Sequence, residues 1–160
     1  MNKVSIIMGS QSDLATVSEA INILKEFKVP FEAKILSAHR TPKELVKYVE
    51  RASKKGTKVF ITAAGMSAAL AGVVAAHTIL PVIGIPMETK SLKGLDSLLS
   101  TVQMPAGIPV ASMAIGKAGA KNAALFSLEI LGITDKKIAQ KLLAYKKSMR
   151  LEIKNTRIKL

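Results

Sequence analysis

Val4-Ser5-Ile6-Ile7-Met8-Gly9-Ser10-Gln11-Ser12-Asp13 is a short, largely β-branched run stopped by Gly-Ser, and from Asp13 onward Leu14, Val17, Ile21 and Leu24 recur on one helical face. The pattern predicts a strand, a tight turn and a helix. The alternation then repeats. Val29-Pro30 ends the helix, Phe31 to Leu36 predicts a second strand, and Thr41-Pro42-Lys43-Glu44 starts a second helix. Thr41 as N-cap, Pro42 at the first helical position and Glu44 reaching back are expected to form a capping box there. Lys54-Lys55-Gly56 closes that helix, and Lys58 to Thr62 predicts a third strand. The small-residue stretch Ala63 to Gly72 leads into a helix reaching about Thr78, and Pro81 to Ile85 and Ile108 to Ile115 predict two further strands, each followed by a helical pattern.

Strands alternating with helices imply a parallel sheet covered on both faces and joined by right-handed crossovers. The expected class is α/β, a flavodoxin-like three-layer sandwich with a central parallel sheet of about five strands. Ligands of such sheets bind beyond the carboxyl ends of the strands where strand order reverses, here between the first and third strands. The loops to inspect are Gly9 to Asp13, Ser37 to Arg40 and Ala64 to Ala68. A long C-terminal helix is expected from Asp135 to about Asn155, apolar at Ile138, Leu142, Tyr145, Met149 and Ile153. That stripe serves either an oligomer contact or packing within the chain, and periodicity does not choose. Without internal repeats or a low-complexity linker, one domain is expected over residues 1–160, with a core over about 4–132 and the last helix over about 135–156.

Composition narrows the function classes. The hydrophobic fraction is 49% but only 4% of residues are aromatic, so the core must be built from Ala, Val, Ile, Leu and Met. Without cysteine there is no disulfide, thiolate nucleophile or zinc ribbon, and the opening segment lacks a long apolar signal core, which together predict a cytoplasmic protein. The longest apolar stretch, about Leu70 to Ile85, is broken by Gly72, His77, Thr78, Pro81 and Gly84, so no membrane span is expected. A net charge of +13 raises the question of nucleic acid, but the lysines are scattered and no aromatics interleave them for base stacking. A solvated basic surface without a nucleic-acid partner is the expectation.

The turn Gly9-Ser10-Gln11-Ser12-Asp13 offers backbone N–H groups at a helix start and two hydroxyls, which suit a phosphate; Asp13 suits ribose hydroxyls better. Equally, Ser12 or Asp13 can serve as a simple N-cap. Arg40, one of few arginines in a lysine-rich chain, lies beside another helix start, where its planar fork matches a phosphate. His39 shares that loop, and imidazole is the side chain best suited to moving protons near neutral pH. His77, late in an Ala-rich helix, falls near the opposite end of the sheet and is read as structural. Two separated histidines and no acidic cluster predict no metal site, and neither a Ser-His-Asp order nor a Walker glycine loop is present.

Taken together, Gly9-Ser10-Gln11-Ser12-Asp13, Ser37-Ala38-His39-Arg40-Thr41-Pro42, Pro81-Val82-Ile83-Gly84-Ile85-Pro86 and Gly94-Leu95-Asp96-Ser97-Leu98-Leu99-Ser100 through Val102-Gln103-Met104-Pro105 strongly resemble the PurE family. That family comprises the N5-carboxyaminoimidazole ribonucleotide mutases of de novo purine synthesis. The likeness continues through Gly107-Ile108-Pro109-Val110 and Ala118-Gly119-Ala120-Lys121-Asn122-Ala123-Ala124, covering Val4 to Gly132. It implies a flavodoxin-like homo-octamer without metal or organic cofactor. The implied reaction moves a carboxyl group from the exocyclic nitrogen of the ribonucleotide substrate to C4 of its imidazole. By resemblance, Ser10, Ser12, Asp13, Ser37, Ala38 and Arg40 hold the ribose phosphate end, and His39 is the general acid and base. The loop of Ala64, Gly65, Met66, Ser67 and Ala68 is expected to let backbone approach the ring around an apolar cavity for carbon dioxide. The Gln103-Met104-Pro105-Ala106-Gly107 loop is the expected closure.

One stretch departs from the family's pattern. Bacterial mutases commonly read Gly-Gly-Ala-Ala-His-Leu-Pro-Gly where this chain reads Gly65-Met66-Ser67-Ala68-Ala69-Leu70-Ala71-Gly72. Ala69 thus stands where the pattern has a histidine, a position read as contributing to substrate fit rather than proton transfer. Related animal-type carboxylases, which use carbon dioxide directly, typically carry Lys after the catalytic histidine, so Arg40 favours the mutase class. Direct carboxylation of aminoimidazole ribonucleotide and a non-catalytic nucleotide-binding module are the alternatives.

Overall fold

The computed structural model describes residues 3–158. Five segments pair in one parallel sheet: β1 (Val4–Met8), β2 (Phe31–Ile35), β3 (Val59–Ala64), β4 (Val82–Pro86) and β5 (Ala111–Ser112), in the order β2-β1-β3-β4-β5. Among the described residues six α-helices alternate with and follow them: α1 (Leu14–Glu26), α2 (Pro42–Lys54), α3 (Leu70–Ala76), α4 (Leu95–Val102), α5 (Lys117–Gly132) and α6 (Lys136–Asn155). This is the flavodoxin-like order expected from the sequence. The chain divides into two compact units, the first ending at Ser127 and the second beginning at Leu128.

Every residue of β1, β3 and β4 is buried, so both faces of the central strands are covered. Because β2 and β3 lie on opposite sides of β1, right-handed crossovers put α1 and α2 on opposite faces. On the α2 face, Leu45, Tyr48, Val49 and Ala52 of α2 and Leu70 and Val74 of α3 close over Ile7, Phe60, Ala64 and Val82. The other face presents Val4, Ile6, Val59, Ile61, Ile83 and Ile85, all at most 4% exposed. Removing such side chains from water is worth roughly 1.5–3 kcal/mol each. Gly84 sits mid-strand because α4 comes close: a Cβ there would lie 2.2 Å from Thr101 Cγ2.

Several local details differ from the sequence expectations: strand ends shift by a residue at β2, at the start of β3 and at β4, and three differences are larger. β3 runs two residues beyond Thr62, because Ala63 and Ala64 are small enough to lie buried between neighbouring strands. The stretch 108–115 contributes only Ala111 and Ser112 to regular pairing, since it lies at the sheet edge and begins with a turn from Pro105 to Ile108. Thr41 and Glu44 form no capping box. The Thr41 hydroxyl instead accepts from Ser37 N–H (2.8 Å) and donates to Ser37 C=O (3.2 Å), leaving Pro42 to start α2. In the second unit, Asp135 caps α6 by accepting from the N–H groups of Lys137 and Ile138. Ile138 and Leu142 are buried, while Met149 and Ile153 are exposed.

A buried polar contact also secures α2. Tyr48 Oη lies 2.6 Å from Ser5 Oγ of β1 and donates to Glu32 Oε2 of β2 at 3.2 Å. Burial, opposed by the Ser5 contact and reinforced by the Glu32 charge, pushes the phenol up to about 12, so it remains a donor. Tyr48→Phe leaves the buried Ser5 hydroxyl without this partner and is expected to lower stability by about 1–3 kcal/mol. Urea unfolding of the variant measures this; a wild-type midpoint would contradict it.

Candidate functional site

The register of β2, β1 and β3 aligns their carboxyl ends. Met8 pairs with Ile35 on one side and Ala63 on the other, and the ladder continues through Leu36 N–H to Met8 C=O and Gly9 N–H to Ala63 C=O, both 3.0 Å. The chains leaving the three strands therefore emerge side by side at the reversal of strand order. Across this edge, the β2 and β3 exits are two strand spacings apart, about 10 Å.

The turn after β1 is capped by Ser10, while Asp13 stands at the N-cap position of α1 without a side-chain cap hydrogen bond to that helix. Ser10 is the N-cap of a 3₁₀ turn over Gln11–Asp13: its Oγ accepts from Ser12 N–H (3.4 Å) and Ser12 Oγ–H (3.0 Å). In return, Ser10 N–H donates to Asp13 Oδ2 at 3.0 Å, completing a reciprocal capping box. Asp13 is buried, and burial raises its carboxyl pKa above the usual 3.8. The Ser10 N–H, Ser12 hydroxyl, Gly9 N–H and Arg40 charge oppose that shift without cancelling it.

The loop after β2 is folded around two hydroxyls. Ser37 Oγ accepts from the N–H groups of His39 (3.3 Å) and Arg40 (3.1 Å), while Thr41 ties back to the Ser37 backbone. Arg40 joins the two loops: its Nη2 donates to Gly9 C=O at 2.8 Å, and Nε reaches Ser37 Oγ at 3.5 Å. These contacts use two of the guanidinium's five N–H donors. His39 is exposed one residue away. Ala38 packs against the same core cluster as Ala68, bracing the loops after β2 and β3 on common apolar ground.

The loop after β3 carries Gly65, Met66, Ser67 and Ala68. Gly65 lies beside Met87 and Thr89. Met66 is a non-glycine residue at φ +58 and is 71% exposed. Ser100 Oγ of α4 lies 3.5 Å from Met66 C=O, and Met104 of the 103–107 loop packs on Gly72, where a Cβ would be 3.1 Å from its Cε. Sequence reasoning gave no site role to Thr89, whose hydroxyl donates to both Asp96 carboxylate oxygens at 3.0 and 3.2 Å. Its position just past the end of β4, at the same sheet edge, was the available signal. His77 is an exposed residue at the end of α3. Among the described residues no three His, Cys, Asp or Glu side chains gather as a metal set, and no helix is long and apolar enough to cross a membrane.

Comparison with known proteins agrees with this architecture. A family model described as AIR carboxylase matches residues 3–152. An N5-carboxyaminoimidazole ribonucleotide mutase of Saccharolobus solfataricus is 51% identical over 158 residues, 99% of each chain. The Bacillus subtilis protein of the same name is 54% identical over 139 residues, 87% of this chain and 86% of that one. The crystal structure of Treponema denticola PurE superposes with a TM-score of 0.87 at 32% identity, covering 96% of this chain and 98% of that one.

The raised Asp13 carboxyl gives a signed pH effect. A native pKa above the unfolded one means that stability falls as pH rises from below 3.8 through the native value. Asp13→Asn lacks this penalty, so its melting temperature relative to wild type is expected to rise between about pH 3 and pH 6. Thermal unfolding across that window checks the sign; a flat or falling difference would contradict it.

Proposed function

The chain belongs to the AIR carboxylase family, and from that membership we propose that it works as an N5-carboxyaminoimidazole ribonucleotide mutase of purine biosynthesis, with His39 as general acid and base. The observation that carries the residue assignment is the Arg40–Gly9 contact at 2.8 Å, which fixes the histidine loop against the serine turn. Curated relatives at about 50% identity over nearly the whole chain carry the mutase name. Arg40, rather than Lys, after the histidine supports the same choice.

In this reading the substrate phosphate takes the remaining guanidinium donors of Arg40 and the hydroxyls of Ser10, Ser12 and Ser37, with Ala38 lining that end. Asp13 accepts from the ribose hydroxyls. The imidazole ring lies between His39 and the loop of Gly65, Met66, Ser67 and Ala68. His39, protonated, gives its proton to N5 as the N–C bond breaks and the bonding pair returns to nitrogen. Carbon dioxide stays beside the ring, the π electrons at C4 form the new C–C bond, and the C4 proton passes to His39. The protein ends as it began, so no external acid or base is consumed. We place this work in the cytoplasm.

The expected assembly is a homo-octamer. Its support is apolar surface left open on two helices: Leu95, Leu99 and Val102 of α4, and Leu143, Met149 and Ile153 of α6, are 42–76% exposed. Light scattering after gel filtration is expected to give about eight times the 17.0 kDa chain mass; a monomer would contradict it.

Turnover of N5-carboxyaminoimidazole ribonucleotide, followed by proton NMR, tests the activity. His39→Asn is expected to lose roughly two to four orders of magnitude in rate while keeping the wild-type melting temperature. Rapid turnover of aminoimidazole ribonucleotide with bicarbonate alone would assign direct carboxylation instead. Nucleotide binding without turnover of either compound would leave only a binding module.

A further inference from the structure

The stretch Gly94 to Ser100 is part of the family resemblance, yet neither the phosphate grip nor His39 makes use of it. In the fold it starts α4 and turns three polar side chains toward the exits of β3 and β4. Ser97, fully buried, donates from Oγ to Met87 C=O at 2.6 Å. Ser100 Oγ lies 3.5 Å from Met66 C=O. Asp96 takes the Thr89 hydroxyl on both carboxylate oxygens, at 3.0 and 3.2 Å. The backbone ladder between the two strands continues as far as Met87 N–H to Ala64 C=O, 3.0 Å. At the next residue, Gly65, the flank is side chain rather than backbone: a Cβ there would stand 3.4 Å from Thr89 Cγ2 and 3.5 Å from Met87 Cβ.

We propose that Asp96 is a positioning residue for the reaction, acting through Thr89 on Gly65 and so on the loop that faces the substrate ring. This rests on the mutase reading above, which sets the imidazole between His39 and that loop. A threonine side chain turns about a single bond, so fixing Oγ1 also fixes the methyl on the same Cβ. With the hydroxyl held by Asp96, Cγ2 is kept on the Gly65 side. Gly65 has no side chain to anchor it, and the wide conformational range of glycine leaves the direction of the loop to whatever borders it. Neither Asp96 nor Thr89 touches substrate or exchanges a proton; the pair sets where the ring-facing backbone stands. Misplacing such a backbone by about 1 Å costs up to about a hundredfold in rate. The phosphate is gripped at the exits of β1 and β2, which Thr89 does not border, so the cost falls on the chemical step rather than on binding.

The test compares wild type with Asp96→Ala, Asp96→Asn, Thr89→Val, Thr89→Ser and the double variant Thr89→Val/Asp96→Ala, each as the full chain. Turnover of N5-carboxyaminoimidazole ribonucleotide gives kcat and KM. Titration with the C4-carboxylated nucleotide counts binding sites, so that kcat is expressed per competent site. Asp96→Ala, Thr89→Val and Thr89→Ser are expected to lose roughly tenfold in kcat with KM within about twofold of wild type. Asp96→Asn keeps an acceptor for the Thr89 hydroxyl and is expected to recover kcat to within about threefold of wild type. The double variant is expected to lose no more than the worse single variant, because both changes break one contact. An unchanged kcat per site in Asp96→Ala or Thr89→Val, a rise in KM alone, equal losses in Asp96→Asn and Asp96→Ala, multiplied losses in the double variant, or loss of nucleotide binding in all of them would overturn the assignment while leaving the mutase reading in place. A wild type that forms no C4-carboxylated product would overturn both.

Discussion

The site depends on one strand being held between two others in fixed register. β1 pairs with β2 through Met8–Ile35 and with β3 through Met8–Ala63, so three chain exits meet within about 10 Å. A one-residue slip would move every β1 side chain to the opposite face, setting Ile6 and Ile7 into packing shaped for their neighbours and misaligning the exits. Burial of all five β1 residues opposes any such slip. Core packing thus sets the spacing of the loops before any site residue contributes. The Arg40 guanidinium, donating to the Gly9 carbonyl, then fixes two of those loops together.

Charge at this edge is arranged unequally. Asp13 is buried beside Arg40, and its Oδ2 accepts from Ser10 N–H, whereas Arg40 and His39 remain exposed. Much of the carboxylate is therefore occupied with holding the turn, while the Arg40 guanidinium stays open to an anion. A phosphorylated ligand meets a surface already basic overall, with a net charge of +13 that favours its approach. Thr89 and Asp96, paired at the next strand exit, bound the same edge on the β4 side.

How much of this was readable follows from the range of the forces involved. Hydrophobic periodicity and strand stops placed β1 and the start of β2 to the residue, because buried central strands leave little freedom in pattern or length. The alternation of elements indicated the sheet order, and the exits then located the loops of His39 and Ser10. Hydroxyl partners were not readable: Thr41 and Glu44 have the spacing of a capping box, but Ser37, four residues back, takes the threonine hydroxyl. The shortness of β5 within the strand expected at Ile108 to Ile115 was equally hidden, since edge pairing depends on the neighbouring strand more than on local propensity. Nor does composition reveal that Met66 adopts a left-handed conformation at φ +58, with its carbonyl 3.5 Å from Ser100 Oγ.

A crystal structure of the His39→Asn protein with the C4-carboxylated nucleotide tests the central claim most directly. The account expects the phosphate against Ser10, Ser12 and Arg40, and C4 of the imidazole facing the side chain at position 39 within van der Waals reach. A nucleotide gripped elsewhere, with its ring remote from that side chain, would contradict it.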